Sequence, residues 1–153
     1  MLSKYDEVRA RRARGDKGFT LIELLVVVVI IGILIAIAIP VYLNYQKGSH
    51  DKAAESDVRG AITAMEQCFS ETGTYATGGP SDGSGADITF ANCSTHVKTS
   101  PGTVLEIKQG SGGAGTYAIT SYNKDGSGAA KTFTYDSTNG GSVGTSSVAA
   151  PTT

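Results

Sequence analysis

The stretch FTLIELLVVVVIIGILIAIAIPVYL, residues 19–43, decides the fold, because nearly all of its side chains are apolar. The run from Leu24 to Ile39 contains no polar side chain, and Glu23 is the one charged residue of the whole stretch. At about 1.5 Å per residue, a helix of this length measures about 37 Å. The hydrocarbon core of a bilayer is about 30 Å thick, and a helix satisfies its own backbone hydrogen bonds in lipid. The pattern therefore predicts a membrane-spanning helix.

A basic leader, residues 1–18, precedes this helix. Its three acidic side chains are outnumbered by six basic ones: Lys4, Arg9, Arg11, Arg12, Arg14 and Lys17. Positive charge next to a membrane helix is retained on the cytoplasmic side. We therefore expect a single-pass protein of the plasma (inner) membrane, with its N-terminus in the cytoplasm.

Glu23 is the unusual residue of the apolar stretch. A carboxylate at the centre of a bilayer costs roughly 2.5–3.5 kcal/mol, so a chain that keeps one there is expected to provide a partner for it. One interpretation is a charge tolerated at the membrane edge, since Glu23 lies only about 6 Å along the helix from Phe19. The other interpretation is a role in aligning one helix with its neighbours.

The junction Gly18-Phe19-Thr20-Leu21-Ile22-Glu23 resembles the processing site of type IV prepilins. The resemblance implies cleavage after Gly18, N-methylation of Phe19, and pairing of Glu23 with the free amine of a neighbouring Phe19 in a pilus. It implies as partners further copies of the chain, a prepilin peptidase/methyltransferase, a pilus assembly platform protein with its ATPase, and membrane lipid before assembly. The specific match covers residues 18–43 and extends loosely to a Thr-Gly-Thr-Tyr segment that ends at Tyr75.

Two helix-breaking residues lie inside the apolar stretch. Gly32 lowers helix stability by about 1 kcal/mol relative to Ala. Pro40 cannot donate a hydrogen bond to the carbonyl of Ala36, which predicts a kink there. Type IV pilins place Gly and Pro at similar positions, and the resemblance implies that the helix between them can melt when subunits pack into a filament.

Two other functions remain open on the sequence. A pseudopilin of a type II secretion or DNA-uptake system would carry the same N-terminal features but form a short piston, whereas a pilin forms a surface pilus for adhesion or twitching motility. An ordinary secreted protein would use Ala36-Ile37-Ala38 as a signal-peptidase site and begin at Ile39. The apolar run is longer than the usual 7–15 residues of such signals, and a signal peptide explains neither Glu23 nor the Gly18-Phe19 junction.

Composition argues against the other large classes of function. The chain has a net charge of −1 and its leader about +3, so the mature chain is acidic and indicates no specific nucleic-acid partner. His50 and His96 are isolated, which predicts no metal site. No catalytic motif surrounds a nucleophile or a pair of carboxylates in the sequence. We therefore predict a protein that is not an enzyme and needs no cofactor. Asp82-Gly83-Ser84-Gly85 and Asp125-Gly126-Ser127-Gly128 are interpreted as turns rather than calcium sites, which need six or more ligands.

Cys68 and Cys93 are the only cysteines, and both lie outside the cytoplasm in the predicted topology. A pair in that compartment is normally oxidised. A disulfide closing this loop would contribute roughly 3 kcal/mol in the chain-entropy account. The alternative is two free thiols.

The remaining chain predicts a small α+β head of pilin-like type. Apolar residues recur at spacings of three and four between Ala54 and Phe69, which continues the helix as an amphipathic segment. Three alternating segments after Thr103 predict an antiparallel meander of about three strands covered by that helix. The predicted organisation is a removed leader (1–18), an apolar membrane and filament-core helix (19–43), its amphipathic continuation (44–75), a loop region (76–102), a sheet (103–138) and a flexible tail (139–153).

Overall fold

The computed structural model describes residues 18–146. The predicted leader up to residue 17 and the end of the predicted tail, residues 147–153, lie outside the described residues. The chain divides after Val41 into two compact units, which are described separately.

One long helix, α1, runs from Leu21 to Thr72. It continues without interruption through Gly32, Pro40 and Gly48. It ends at Gly73, whose φ of 73° allows the left-handed turn that terminates many helices. The amide of Gly73 donates to the carbonyl of Phe69 at 2.8 Å. The predicted long helix is confirmed.

In the first unit every described side chain is exposed, including the whole apolar run from Leu21 to Val41. This part of α1 is long and apolar enough to cross a membrane. Burying such a surface stabilises a chain by about 25 cal/mol for each Å² removed from water. The first unit therefore needs lipid or other protein around it.

The second unit contains a four-stranded antiparallel sheet with strands in sequence order. The strands are β3 (Thr103–Gln109), β4 (Tyr117–Asn123), β5 (Thr132–Asp136) and β6 (Gly144–Ser146), and a single 3₁₀ turn, Gly128–Ala130, precedes β5. The register pairs Ile107 with Ile119, and Ile119 with Tyr135. Alternation along the strands puts these three side chains on one face, as the period of two requires.

This face packs against α1 from Ala54 onward. The helix contributes mostly small side chains, Ala54, Val58, Ala61, Ala64 and Met65, and the sheet contributes the larger ones, Leu105, Ile107, Tyr117, Ile119 and Phe133. Small helix residues let the backbone approach the sheet closely, and the bulky strand residues fill the space between. The predicted α+β fold, with the amphipathic helix covering the sheet, is confirmed.

The structure differs from the sequence prediction in the number of strands. The predicted meander had three strands, but β6 pairs with β5 and lies within the segment predicted to be a flexible tail. The connection can turn back because Gly140 and Gly141 have φ values of 54° and 122°, and the edge of β5 offers unpaired backbone groups to the returning chain. The loop region also contains a short antiparallel pair, β1 (Ile88–Thr89) with β2 (His96–Val97).

Candidate functional site

The start of α1 brings Thr20 and Glu23 together. The Thr20 amide and hydroxyl both donate to Oε2 of Glu23, at 2.8 and 2.6 Å, and the Glu23 amide donates to the Thr20 hydroxyl at 3.3 Å. This is a capping box, in which two otherwise unpaired amides at the helix start are satisfied reciprocally. The Thr-x-x-Glu spacing was visible in the sequence, but Glu23 was interpreted only through its charge.

The cap fixes where the helix begins, so Gly18 and Phe19 lie outside it. Both residues are exposed, and the Phe19 side chain is 82% exposed. The bond between them is in non-helical backbone. A peptidase that needs an extended substrate can therefore reach this bond without unwinding α1.

A shallow groove of about 400 Å³ surrounds the Glu23 side chain and is lined by Phe19, Ile22, Glu23, Val26 and Val27. Four of these five residues are apolar. A carboxylate in such surroundings, once water is excluded, attracts a cation far more strongly than it does in water. The groove is thus suited to an apolar partner that carries one positive charge.

Gly32 and Pro40 are both exposed on α1. A Cβ added at Gly32 would meet no atom within 4 Å, so this glycine is not required for packing within the described chain. The proposed melting of the helix between the two residues remains a prediction.

Cys68 and Cys93 form a disulfide across a sequence separation of 25 residues, with a Cα–Cα distance of 5.4 Å. The bond joins the last turns of α1 to the segment between β1 and β2. Beside it, the amide and hydroxyl of Ser94 donate to the Glu71 carboxylate at 2.9–3.0 Å. These hydrogen bonds lower the pKa of Glu71. The loop is therefore attached to the helix at two adjacent positions.

Asp51 is an anchor that the sequence analysis missed. Its side chain is buried, and it accepts hydrogen bonds from the Ser127 amide at 2.8 Å and from the Ser127 hydroxyl at 2.7 Å. The Lys131 ammonium lies 3.3 Å from the same carboxylate. Burial by itself raises the pKa of Asp51, but the hydrogen bonds from Ser127 and the charge of Lys131 outweigh it and lower the pKa below its ordinary value. Asp51 therefore holds the turn between β4 and β5 against the helix as a charged group.

Gly126 is needed for this contact, because a Cβ at that position would collide with the Asp51 carboxylate. In the sequence, Asp125-Gly126 was a turn signal, and nothing linked it to a residue 75 positions earlier. Within residues 18–146 no group of three or more His, Cys, Asp or Glu side chains could hold a metal ion.

Glu66 is a second anchor between α1 and the sheet. It accepts a hydrogen bond from the Tyr117 hydroxyl at 2.8 Å, and the Tyr75 hydroxyl lies 3.3 Å from its other oxygen. Burial raises the pKa of both tyrosines, and the Glu66 carboxylate raises each further. Both hydroxyls therefore remain protonated donors. Together with Asp57, which accepts two hydrogen bonds from Ser100, these carboxylates fix the sheet and loops to the helix.

Comparison with known proteins adds independent findings. The family profile described as "Prokaryotic N-terminal methylation motif" matches residues 13–39. The type IV major alpha-pilin of Moraxella bovis is 33% identical over 113 residues, which cover 72% of this chain and 71% of that protein. No solved structure is significantly similar to the chain.

Other relatives match over shorter stretches of the chain. The type IV major pilin protein PilA of Myxococcus xanthus is 46% identical over 61 residues, 40% of this chain and 28% of that protein. A type IV major fimbrial protein FimA of Dichelobacter nodosus is 56% identical over 54 residues, 35% of each chain. The matched residues thus span about a third of the length of these two relatives. Because the match to the Moraxella bovis pilin covers more than two thirds of both chains, the chain belongs to the type IV pilin family.

Proposed function

We propose that this chain is the structural subunit of a type IV pilus, made as a membrane precursor and polymerised through its apolar helix. The proposal rests mainly on the exposed apolar surface of the first unit and on the position of Glu23 in it. Among the described residues of this unit, 18–41, the apolar side chains are all exposed, and Glu23, the one charged side chain in that range, lies in an apolar groove. Lipid would cover this surface before assembly, and the helices of neighbouring subunits would cover it in the filament.

In this proposal a prepilin peptidase/methyltransferase cuts between Gly18 and Phe19 on the cytoplasmic side and methylates the new amine of Phe19. The exposed, non-helical junction supports such a step. A platform protein and its ATPase then move the subunit from the membrane into an extracellular filament. The named relatives are major pilins and fimbrial proteins, which favours a surface pilus over a secretion pseudopilin.

Glu23 would pair with the Phe19 amine of a neighbouring subunit. Before assembly the same carboxylate oxygen accepts two hydrogen bonds from Thr20, so it is stabilised while the chain is alone. A carboxylate can accept about four hydrogen bonds, and the ammonium of a neighbour could therefore join without displacing Thr20. Removing the carboxylate would leave a buried ammonium without its partner, which typically costs about 3–5 kcal/mol.

The substitution Glu23→Gln tests the proposal. It retains the shape of the side chain and its ability to accept from Thr20 but removes the charge. Filaments in the sheared surface fraction should be lost, while cleavage and the membrane level of the subunit stay close to wild type. Glu55→Gln, a neutralised carboxylate on α1 in the head whose partners Lys52 and Arg59 lie on the same helix, is the matched control and should assemble. Filaments of normal length and number in the Glu23→Gln strain would refute the pairing role.

A further inference from the structure

The connection from β5 to β6 contains the sequence Asn139-Gly140-Gly141. Asn139 is the last residue of the turn after β5, and both Asn139 and Gly140 are exposed. Of the asparagines in the chain, only Asn139 is followed by glycine. An asparagine side chain ends in a carbonyl with an NH2 group, and the backbone nitrogen of the next residue can attack that carbonyl to close a succinimide ring. A glycine in the next position has no Cβ to hinder the attack.

The backbone at Gly140 is accessible for that reaction. The Gly140 amide donates to no backbone carbonyl in the range 18–146, and a Cβ added at Gly140 would meet no atom within 4 Å. Gly140 and Gly141 both have positive φ, 54° and 122°, and glycine changes between such conformations at little steric cost. The attacking nitrogen is therefore not shielded by neighbouring atoms.

The chain is held on both sides of this segment. Before it, the Ser137 amide donates to the Tyr117 carbonyl at 2.9 Å, and the Tyr117 amide donates to the Ser137 hydroxyl at 2.9 Å. After it, β6 pairs with β5. A reaction in the short link between these two attachments therefore does not require the head to unfold.

The other asparagines are in different surroundings. Asn44 lies inside α1. Asn123 is fully buried, and its side chain donates two hydrogen bonds. Asn92 is exposed but is followed by Cys93, which is tied into the disulfide. Asn92 is thus an internal control, equally open to water but followed by a residue with a side chain.

We propose that Asn139 is a site of spontaneous deamidation. The Gly140 nitrogen forms a bond to the side-chain carbonyl carbon of Asn139, the bond from that carbon to the NH2 group breaks, and ammonia leaves with the Gly140 amide proton. Water then opens the succinimide at one of its two carbonyls, which gives either aspartate or isoaspartate. No electron is transferred, and water is the only co-reactant.

Each product changes the outer part of the head. Both add a carboxylate, which is ionised at neutral pH. Isoaspartate also directs the backbone through the former side chain, which lengthens the link between β5 and β6 by one CH2 group. Because β6 is a short strand at the edge of the sheet, we expect the longer link to loosen its pairing. The change accumulates with the age of the subunit and does not depend on filament assembly.

The test uses the purified chain in detergent, incubated in mildly alkaline buffer and sampled over several weeks. Trypsin cleaves after Lys131 and releases a peptide that begins at Thr132, whose residues up to 153 include no asparagine besides Asn139. Mass spectrometry of this peptide measures the conversion of amide to acid, and enzymatic methylation of isoaspartate separates the two products. Asn139 should convert at least about tenfold faster than Asn92, which corresponds to a barrier lower by about 1.4 kcal/mol.

Three variants test the assigned chemistry. Asn139→Gln lengthens the side chain by one CH2 group, which disfavours ring closure, so this position should stay intact. Gly140→Ala places a Cβ beside the attacking nitrogen and should slow the conversion by about tenfold. Gly141→Ala introduces the same kind of strain at a positive φ but leaves the attacking residue unchanged, and it should convert at least as fast as wild type.

Conversion of Asn139 no faster than that of Asn92 would overturn the proposal, as would equal rates in Gly140→Ala and Gly141→Ala. Hydrogen exchange tests the effect on β6. The amides of Gly144–Ser146 should exchange faster in the isoaspartate form than in Asn139→Asp, which adds the charge without lengthening the backbone. Equal exchange in the two proteins would show that β6 is not loosened.

Discussion

Removing the Asp51 carboxylate is predicted to destabilise the head strongly. In Asp51→Ala the Ser127 amide and hydroxyl lose hydrogen bonds of 2.8 and 2.7 Å, and bonds to a charged group are worth about 1.5–3 kcal/mol each. Part of this lost free energy is recovered because the Asp51 charge no longer has to be desolvated. The half-exposed Lys131 ammonium can also return to water. The expected loss is therefore about 2–4 kcal/mol. For a head of this size that lowers the melting temperature by roughly 10–20 °C.

The assay is thermal unfolding of the mature chain in detergent, followed by the near-ultraviolet circular dichroism of its tyrosines. Lys131→Met should cost less than about 1 kcal/mol, since its ammonium is partly solvated and such pairs contribute little. Asp87→Ala, which breaks an exposed pair with His96, is the control and should change stability by less than about 0.5 kcal/mol.

Gly126→Ala tests the contact from the other side, because its added Cβ would collide with the Asp51 carboxylate. It should be destabilising in the wild-type chain and clearly less so when Asp51 is already Ala. An Asp51→Ala protein that melts within a degree or two of wild type would refute the anchor, and additive effects of the two substitutions would refute the direct contact.

Two other predictions concern the same head. Reduction of Cys68–Cys93 should lower the melting temperature, since a bridge closing a loop of this length contributes roughly 3 kcal/mol; an unchanged melting curve after complete reduction would contradict this. Acid should destabilise the head, because hydrogen bonds hold the pKa of Asp136 at about 2 and those of Asp51 and Glu71 below their ordinary values. A group whose pKa is lower in the folded state stabilises above its unfolded pKa and loses that effect as pH falls through the folded value, so the loss should occur between about pH 4 and pH 2. Unfolding free energies that stay constant over this interval would contradict the assignment.

The sequence predicted the parts of the fold that depend on local patterns. The apolar run and the three- and four-residue spacing after Ala54 predicted α1, and the three alternating segments after Thr103 predicted β3, β4 and β5. These features depend on a few neighbouring residues, so periodicity is enough to find them.

The features that were missed depend on residues far apart in the chain. Asp51 was not identified from the sequence, because its partner Ser127 is separated from it by 76 positions. The strand β6 is short and consists of Gly144, Thr145 and Ser146, which carry no apolar alternation, so only the free edge of β5 determines it. The Thr20 cap is the exception, since its signal was local and was present in the sequence.

The roles of Gly18, Phe19 and Glu23 came from the resemblance to prepilins and from one charge in an apolar stretch. The structure adds the non-helical junction, the cap and the apolar groove around Glu23. It describes one chain, and processing and pairing between chains remain predictions that experiments on the assembled filament can test.

The most direct test of the proposed function is mass spectrometry of the subunit isolated from sheared surface filaments. The proposal predicts a chain that begins at Phe19, carries one N-methyl group there, and has a mass reduced by two hydrogens for the Cys68–Cys93 bond. A subunit that begins at Ile39, or one that keeps the leader, would contradict it.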